Sequence, residues 1–162
     1  MRILTINCGS STLKFELFET ADGERSIARG VVDRIDGHGS VELIRGSGKS
    51  TVRSIAAADH GEATLQAIRL LDSSALLGGL KAVGHRVVHG GERFSRSVLL
   101  DAGAEEAIEE LTELAPLHNG PALAAIRAVR DALGSEMPQV AAFDTAFHTR
   151  MPRVARLFAI PR

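Results

Sequence analysis

Cysteine is nearly missing from the chain: Cys8 is the one thiol in 162 residues. A single thiol cannot build an internal disulfide framework, so a disulfide-stapled secreted scaffold is excluded and a reducing, cytoplasmic setting is expected. Charge of one sign is lacking too, since 19 Lys and Arg stand against 20 Asp and Glu, for a formal net charge of -1. Such a surface exerts no broad pull on nucleic acid or on an anionic membrane, and neither is expected as a partner. No uninterrupted apolar run is long enough to span a bilayer. The first residues, MRILTI, enter a strand pattern at once, without the charged-then-apolar plan of a signal peptide. Internal repeats, low-complexity segments and a clear linker are also missing.

Several familiar motifs fail on inspection. No GxGxxG follows a strand pattern, so a dinucleotide fold has no support. GSGKST at 46–51 invites a P-loop reading, but Leu43 stands where that loop needs its first glycine, and the flanks read as strands. A surface hairpin is expected there instead. His85 and His89 are four residues apart in HRVVH, a β-branched and extended stretch. Along a strand that spacing is about 13 Å, too far for one ion, and the glutamate of HExxH is absent, so zinc is not expected. Cys8 has no histidine or acidic neighbour in sequence and reads as a small buried thiol rather than a nucleophile.

What is present suffices for one domain with a real core, since 44% of the residues are hydrophobic. Residues 2–6 and 13–19 read as two strands, the second alternating Leu13, Phe15 and Leu17 with Lys14 and Glu16. The short loop between them predicts an antiparallel pair. Residues 27–35 fit a third strand, and 41–45 with 51–55 a small hairpin around GSGK. Asp59 followed by Glu62 has the form of a capping box. Leu65, Ile68, Leu71 and Leu76 then carry a helical stripe that Gly78-Gly79 ends. AVGHRVVHGG at 82–91 is a strand running into a glycine turn. A helix follows at 104–114, ended by Pro116. The next is capped by Asn119 or Gly120 and carries Ile126, Val129 and Leu133 to Gly134. QVAAF at 139–143 is a short buried strand that stops at Asp144. This order predicts an α/β fold: a mixed five-stranded sheet flanked by helices, with a small β insertion. Apolar residues run to within three residues of Arg162, which suggests part of a longer polypeptide.

Polar residues gather where these strands end. INCGSSTLK at 6–14 puts Asn7, Ser10, Ser11, Thr12 and Lys14 in and around one short loop. Backbone N–H groups and hydroxyls so concentrated suit an anion, usually phosphate, though a plain polar hairpin loop has the same composition. Arg86 sits in an otherwise apolar strand. It is either an internal ion-pair partner of Glu92 or Asp144, or a cleft-facing fork that clamps a carboxylate or phosphate. Asp144 directly follows a buried strand, where ligands of such sheets bind; a turn aspartate is its plainer role. His118 precedes a helix, where a caged neutral imidazole is common. Together Asn7, Arg86, Asp144 and His118 supply what phosphoryl transfer needs: cationic clamps, a carboxylate for Mg²⁺ and little covalent machinery.

INCGSSTLK, GHRVVHGGE, APLHN and FDTAFH, in this order, resemble the motifs of the acetate kinase family and its close acyl-kinase relatives. Thr12 stands where serine is usual, with the hydroxyl kept. The resemblance runs from Met1 to about Pro161. It implies a ribonuclease H-like, actin-like ATPase fold, related to sugar kinases and Hsp70 and built from two duplicated α/β domains. Residues 1–162 would be the first, N-terminal domain. It further implies reversible phosphoryl transfer between ATP and acetate, giving ADP and acetyl phosphate, with Mg²⁺ (or Mn²⁺). A cytoplasmic enzyme that is a homodimer at full length is implied as well. By motif, Asn7 would lie near the transferring phosphoryl group and the metal, with Ser10, Ser11, Thr12 and Lys14 in the phosphate loop for ATP. Arg86 would hold acetate or acetyl phosphate, and Asp144 would orient the metal or the acyl phosphate. His118 and Phe147 would adjoin the substrate pocket. The family's second, adenosine-binding domain has no counterpart here, and His148, part of FDTAFH, does not replace its catalytic histidine. The isolated chain is therefore expected to be incomplete and inactive. Propionate and butyrate kinases share the motifs, and a non-catalytic domain kept for binding or assembly is the alternative of a different class.

Overall fold

The computed structural model describes residues 1–21, 23–149 and 151–156, so the apolar stretch at 157–161 lies outside them. The chain opens as a run of strands: β1 (Arg2–Cys8), β2 (Thr12–Glu19), β3 (Arg25–Asp33), β4 (Gly37–Arg45) and β5 (Ser50–Ala57). Helix α1 (His60–Ser73) leads to β6 (Leu80–Val87) and the short β7 (Val98–Leu99). Then come α2 (Ala102–Leu111), α3 (Pro116–Leu133), β8 (Gln139–Phe143), a 3-10 turn at Asp144–His148 and a single helical turn, α4 (Arg153–Arg156). All eight strands join one sheet in the order β5-β4-β3-β2-β1-β6-β8-β7. β1, β6 and β8 are parallel neighbours, and the other pairings are antiparallel.

The five expected strands form the continuous run β3-β2-β1-β6-β8 within this larger sheet. The hairpin around GSGK is a hairpin, but not a separate insertion: β4 pairs with β3 from Ala28↔Arg45 to Asp33↔Ser40 and extends the same sheet. Close approach inside the sheet demands glycine at one point. A Cβ on Gly30 would stand 2.3 Å from both the Phe15 ring and the Glu42 carbonyl.

Strand alternation sorts the residues onto two faces. Leu4, Ile6 and Cys8 of β1, Leu13, Phe15 and Leu17 of β2, and Val83, His85 and Val87 of β6 are buried. They lie beneath α1 and α3, whose own buried stripes include Ala67, Leu70 and Leu71, and Ala125, Ile126 and Val129. Thr5, Asn7, Lys14, Glu16 and Arg86 point from the opposite face.

The helix ends correct the sequence reading in detail. The Asp59 carboxylate accepts from the Glu62 amide (2.9 Å), the forward half of a capping box, while the Glu62 carboxylate reaches back to the amide of Ala58 (2.6 Å), one residue before the cap. α1 stops at Ser73, well before Gly78-Gly79. Ala75 turns left-handed (φ 56°), and the Leu76 amide donates back to the Leu71 carbonyl at 3.0 Å. α2 ends at Leu111, and Pro116 opens α3 instead of merely closing α2. Asn119 and Gly120 are therefore inside α3 and cap nothing. No helix of the described residues is long and apolar enough to cross a membrane.

Candidate active site

Register brings three distant residues to one place. Asn7 on β1 pairs with Arg86 on β6, and Arg86 pairs with Ala142 on β8, two residues before Asp144. All three polar groups thus emerge from the helix-free face near the carboxyl ends of parallel strands, where ligands of such sheets bind. The Arg86 guanidinium grips Asp144 two-pronged: Nε donates to Oδ1 at 2.9 Å and to Oδ2 at 3.1 Å, and Nη2 donates to Oδ2 at 2.7 Å. Nη1 donates to the Asn7 side-chain oxygen at 3.2 Å. The partner is Asp144, not Glu92. The hydrogen bonds to Asp144 raise the Arg86 pKa above its ordinary value. About half of the Arg86 side chain is exposed (51%), which suits a clamp at a cleft better than a core ion pair. Five N–H donors sit on a guanidinium. Those used here leave one on each terminal nitrogen without a partner among the described residues.

The hydroxyl-rich loop lies at the end of the same strand as Asn7. It is closed by the Gly9 amide donating to the Thr12 carbonyl at 2.7 Å, so tightly that a Cβ on Gly9 would stand 2.9 Å from the Thr12 hydroxyl. Ser10 and Ser11 are exposed at its tip, and the Ser11 carbonyl accepts from the Ile35 amide at 3.1 Å. Lys14 pairs in register with Asn7 and lines, with Thr5, Glu16, Arg29 and Glu42, a groove of about 570 Å³ on the helix-free face. His118 is exposed on the first turn of α3, and Phe147 is 85% exposed on the 3-10 turn, its ring edge-on to His148 at 5.3 Å. Neither joins the Asn7–Arg86–Asp144 cluster among the described residues.

The other candidates are disposed of by burial. Cys8 is buried, and desolvation pushes its thiol up to about 12, so it holds no thiolate at neutral pH. His85 faces the helices, its Nε2 2.7 Å from the Gln139 side-chain oxygen, while His89 Nδ1 accepts from the Gly91 amide at 3.0 Å. Sequence reasoning overlooked the groups that brace this end of the sheet. Asn119, fully buried, grips the main chain of His89 at both ends: its Oδ1 accepts from the His89 amide (3.1 Å) and its Nδ2 donates to the His89 carbonyl (2.9 Å). The Thr145 hydroxyl accepts from the Gly90 amide at 2.9 Å. His60 Nε2 lies 2.7 Å from the Gly9 carbonyl oxygen. Asn119 reads in sequence as a helix cap, and it is the start of α3 at Pro116 that frees its side chain for His89.

Among the described residues, no three His, Cys, Asp or Glu side chains converge as a metal cage would require. The donors present are the Asp144 carboxylate and the Asn7 amide oxygen, both hard and both half-open to solvent. That set suits Mg²⁺, which takes one or two carboxylates and fills its remaining positions with water and phosphate oxygens.

Comparison with known proteins identifies relatives of the chain. The model of the acetokinase family matches residues 2–162. An acetate kinase of Moorella thermoacetica is 46% identical over 168 residues, covering 99% of this chain and 41% of that protein. An acetate kinase of Clostridium novyi is 42% identical over 166 residues with the same coverages. Among solved structures, Porphyromonas gingivalis acetate kinase superposes with a TM-score of 0.89 at 33% identity, over 99% of this chain and 41% of that one. A propionate kinase from Francisella tularensis does so at 0.85 and 36% identity, again over 99% and 41%. The chain thus spans about two fifths of the length of the relatives it matches, and it superposes on their actin-like ATPase-type N-terminal domain. This chain belongs to the acetokinase family.

Proposed function

We propose that this domain is one wall of the catalytic cleft of an acetate kinase, which moves a phosphoryl group reversibly between ATP and acetate. The observation that carries the reading is the placement of Arg86, held by Asp144 and Asn7 beside the hydroxyl loop on one sheet face. Asp144 fixes the plane of the guanidinium, so its remaining N–H groups point in fixed directions. Two such donors suit the paired oxygens of a carboxylate or an acyl phosphate. Phosphoryl transfer demands mainly positioning and charge stabilisation, and a pre-oriented guanidinium supplies both. Ser10, Ser11, Thr12 and Lys14 face the ATP phosphates in this reading, and His118 and Phe147 flank the acyl group. Asp144 and Asn7 would hold Mg²⁺, which when bound neutralises charge on the phosphate oxygens. A cytoplasmic homodimer is proposed for the complete polypeptide. The likeness to the Francisella propionate kinase supports propionate as a second acceptor.

A hydroxamate assay for acyl phosphate, with ATP and either acetate or propionate, tests the reading. The complete polypeptide is expected to turn over, and this chain alone is not, because it presents only one wall of the cleft. Activity that survives Arg86→Ala in the complete polypeptide would overturn the assignment.

A further inference from the structure

We propose that His60 is a positioning residue for the phosphoryl group: by holding the Gly9 carbonyl it aims the Ser10 amide N–H at the ligand side of the β1–β2 loop. The inference rests on the phosphoryl-transfer reading above. His60 is the first residue of α1 and is only 8% exposed, with Nε2 2.7 Å from the Gly9 carbonyl oxygen. A carbonyl oxygen can only accept, so Nε2 carries the hydrogen. In a trans peptide, the carbonyl of one residue and the N–H of the next point in opposite directions. No described peptide bond is cis. Drawing the Gly9 oxygen toward α1 therefore turns the Ser10 N–H away from the helix. That amide has no hydrogen-bond partner among the described residues, and neither has the amide of Ser11.

The latch answers a problem that the loop itself creates. Its turn is tight at position 9, where a Cβ would meet the Thr12 hydroxyl at 2.9 Å and displace it. Glycine, however, also makes rotation of the Gly9–Ser10 peptide easy. A loop free to rotate could present the Gly9 carbonyl oxygen to an incoming phosphate instead of the Ser10 amide. His60 selects the amide. Both the neutral Nε2–H ring and the imidazolium carry this hydrogen, so the latch is insensitive to the protonation of His60.

The experiment titrates the ¹⁵N-labelled chain with inorganic phosphate, as wild type, His60→Gln and His60→Phe. Glutamine keeps an N–H donor, whereas phenylalanine keeps the bulk and loses the donor. In wild type and His60→Gln, phosphate is expected to shift both the Ser10 amide and the Arg86 Nε–H resonances. In His60→Phe the Arg86 response is expected to persist while Ser10 responds roughly fivefold more weakly, the scale of one neutral hydrogen bond. Equal Ser10 responses in wild type and His60→Phe, with Arg86 responding, overturn the latch alone. No response at Ser10 or Arg86 in wild type overturns the latch together with the phosphoryl-transfer reading. If His60→Phe does not fold, the ¹⁵N shifts of the neutral wild-type imidazole decide: a hydrogen on Nε2 supports the latch and a bare Nε2 overturns it.

Discussion

Acid should unfold this domain in part through one side chain, His85. The ring is 2% exposed between β1 and β8, on the helix-covered side of β6, with Nε2 donating to the Gln139 side-chain oxygen and Nδ1 buried without a partner among the described residues. A second proton would have to enter at Nδ1, where nothing accepts it. Desolvation accordingly lowers the His85 pKa from 6.5 to about 4. Unfolded, the ring takes a proton near 6.5; folded, it stays neutral down to about 4. Between those values the unfolded state binds more protons, so stability falls as the solution is acidified and returns as pH rises. The difference amounts to about 2 kcal/mol at pH 5 and about 3 kcal/mol below pH 4. Against a total of roughly 5–15 kcal/mol for a domain, that is a large share. Urea denaturation between pH 4.5 and 7.5, on wild type and His85→Gln, isolates the effect from the carboxylates, which titrate in both. Glutamine keeps an amide donor for Gln139 but does not titrate. The wild-type advantage over the variant should be flat above pH 7 and shrink below, at most by about 1.4 kcal/mol per pH unit. Parallel stability curves for the two proteins would refute the reasoning.

In the complete polypeptide, Arg86→Lys should lower kcat/KM by about 2 kcal/mol or more with little change in Tm, because lysine keeps the charge but loses the fork to Asp144. Steady-state kinetics and melting on one preparation check it, and intact turnover with a lower Tm would refute it. Asn119→Ala should cost about 2–4 kcal/mol in urea denaturation, since it strands the His89 amide and carbonyl together. A loss below about 0.5 kcal/mol, the scale of an ordinary surface change, would contradict the clamp. Cys8, buried with its thiol pushed up to about 12, should resist a thiol reagent at pH 8 in the native chain and react promptly in urea. Rapid labelling of the native chain would show it open to solvent.

The local parts of the fold were legible because local chemistry dictates them. Alternation in LKFELFE fixed which face of β2 is buried, and Asp59 with Glu62 marked the start of α1. What escaped depends on partners far away in sequence. Nothing within residues 37–57 says whether their hairpin stands apart or extends the sheet, since that is settled by the register of β4 against β3. α1 stops at Ser73 and Ala75 turns left-handed just after it, which residue type does not announce, whereas Gly79, also at positive φ, turns the chain only later and was misleading about the helix end. The motif residues Asn7, Arg86 and Asp144 were found because their chemistry is unusual for strand ends. Asn119 was read as a helix cap and His60 went unnoticed, because their targets are main-chain atoms far away in sequence, which leave no mark in it.

The guanidinium of Arg86 reaches back 79 residues to Asn7 and forward 58 to Asp144. None of the three can meet another through a local turn, and β8 joins the sheet only by pairing beside β6. During synthesis, at about 5–20 residues per second, the first strands emerge and pair seconds before Asp144 has been made. In that interval Arg86 is a cation without its counter-ion at the edge of an unfinished parallel sheet. The Asn7–Arg86–Asp144 cluster is thus a late product of folding, and any nascent or partly unfolded form that lacks β8 has the hydroxyl loop but no Asp144 to hold the guanidinium.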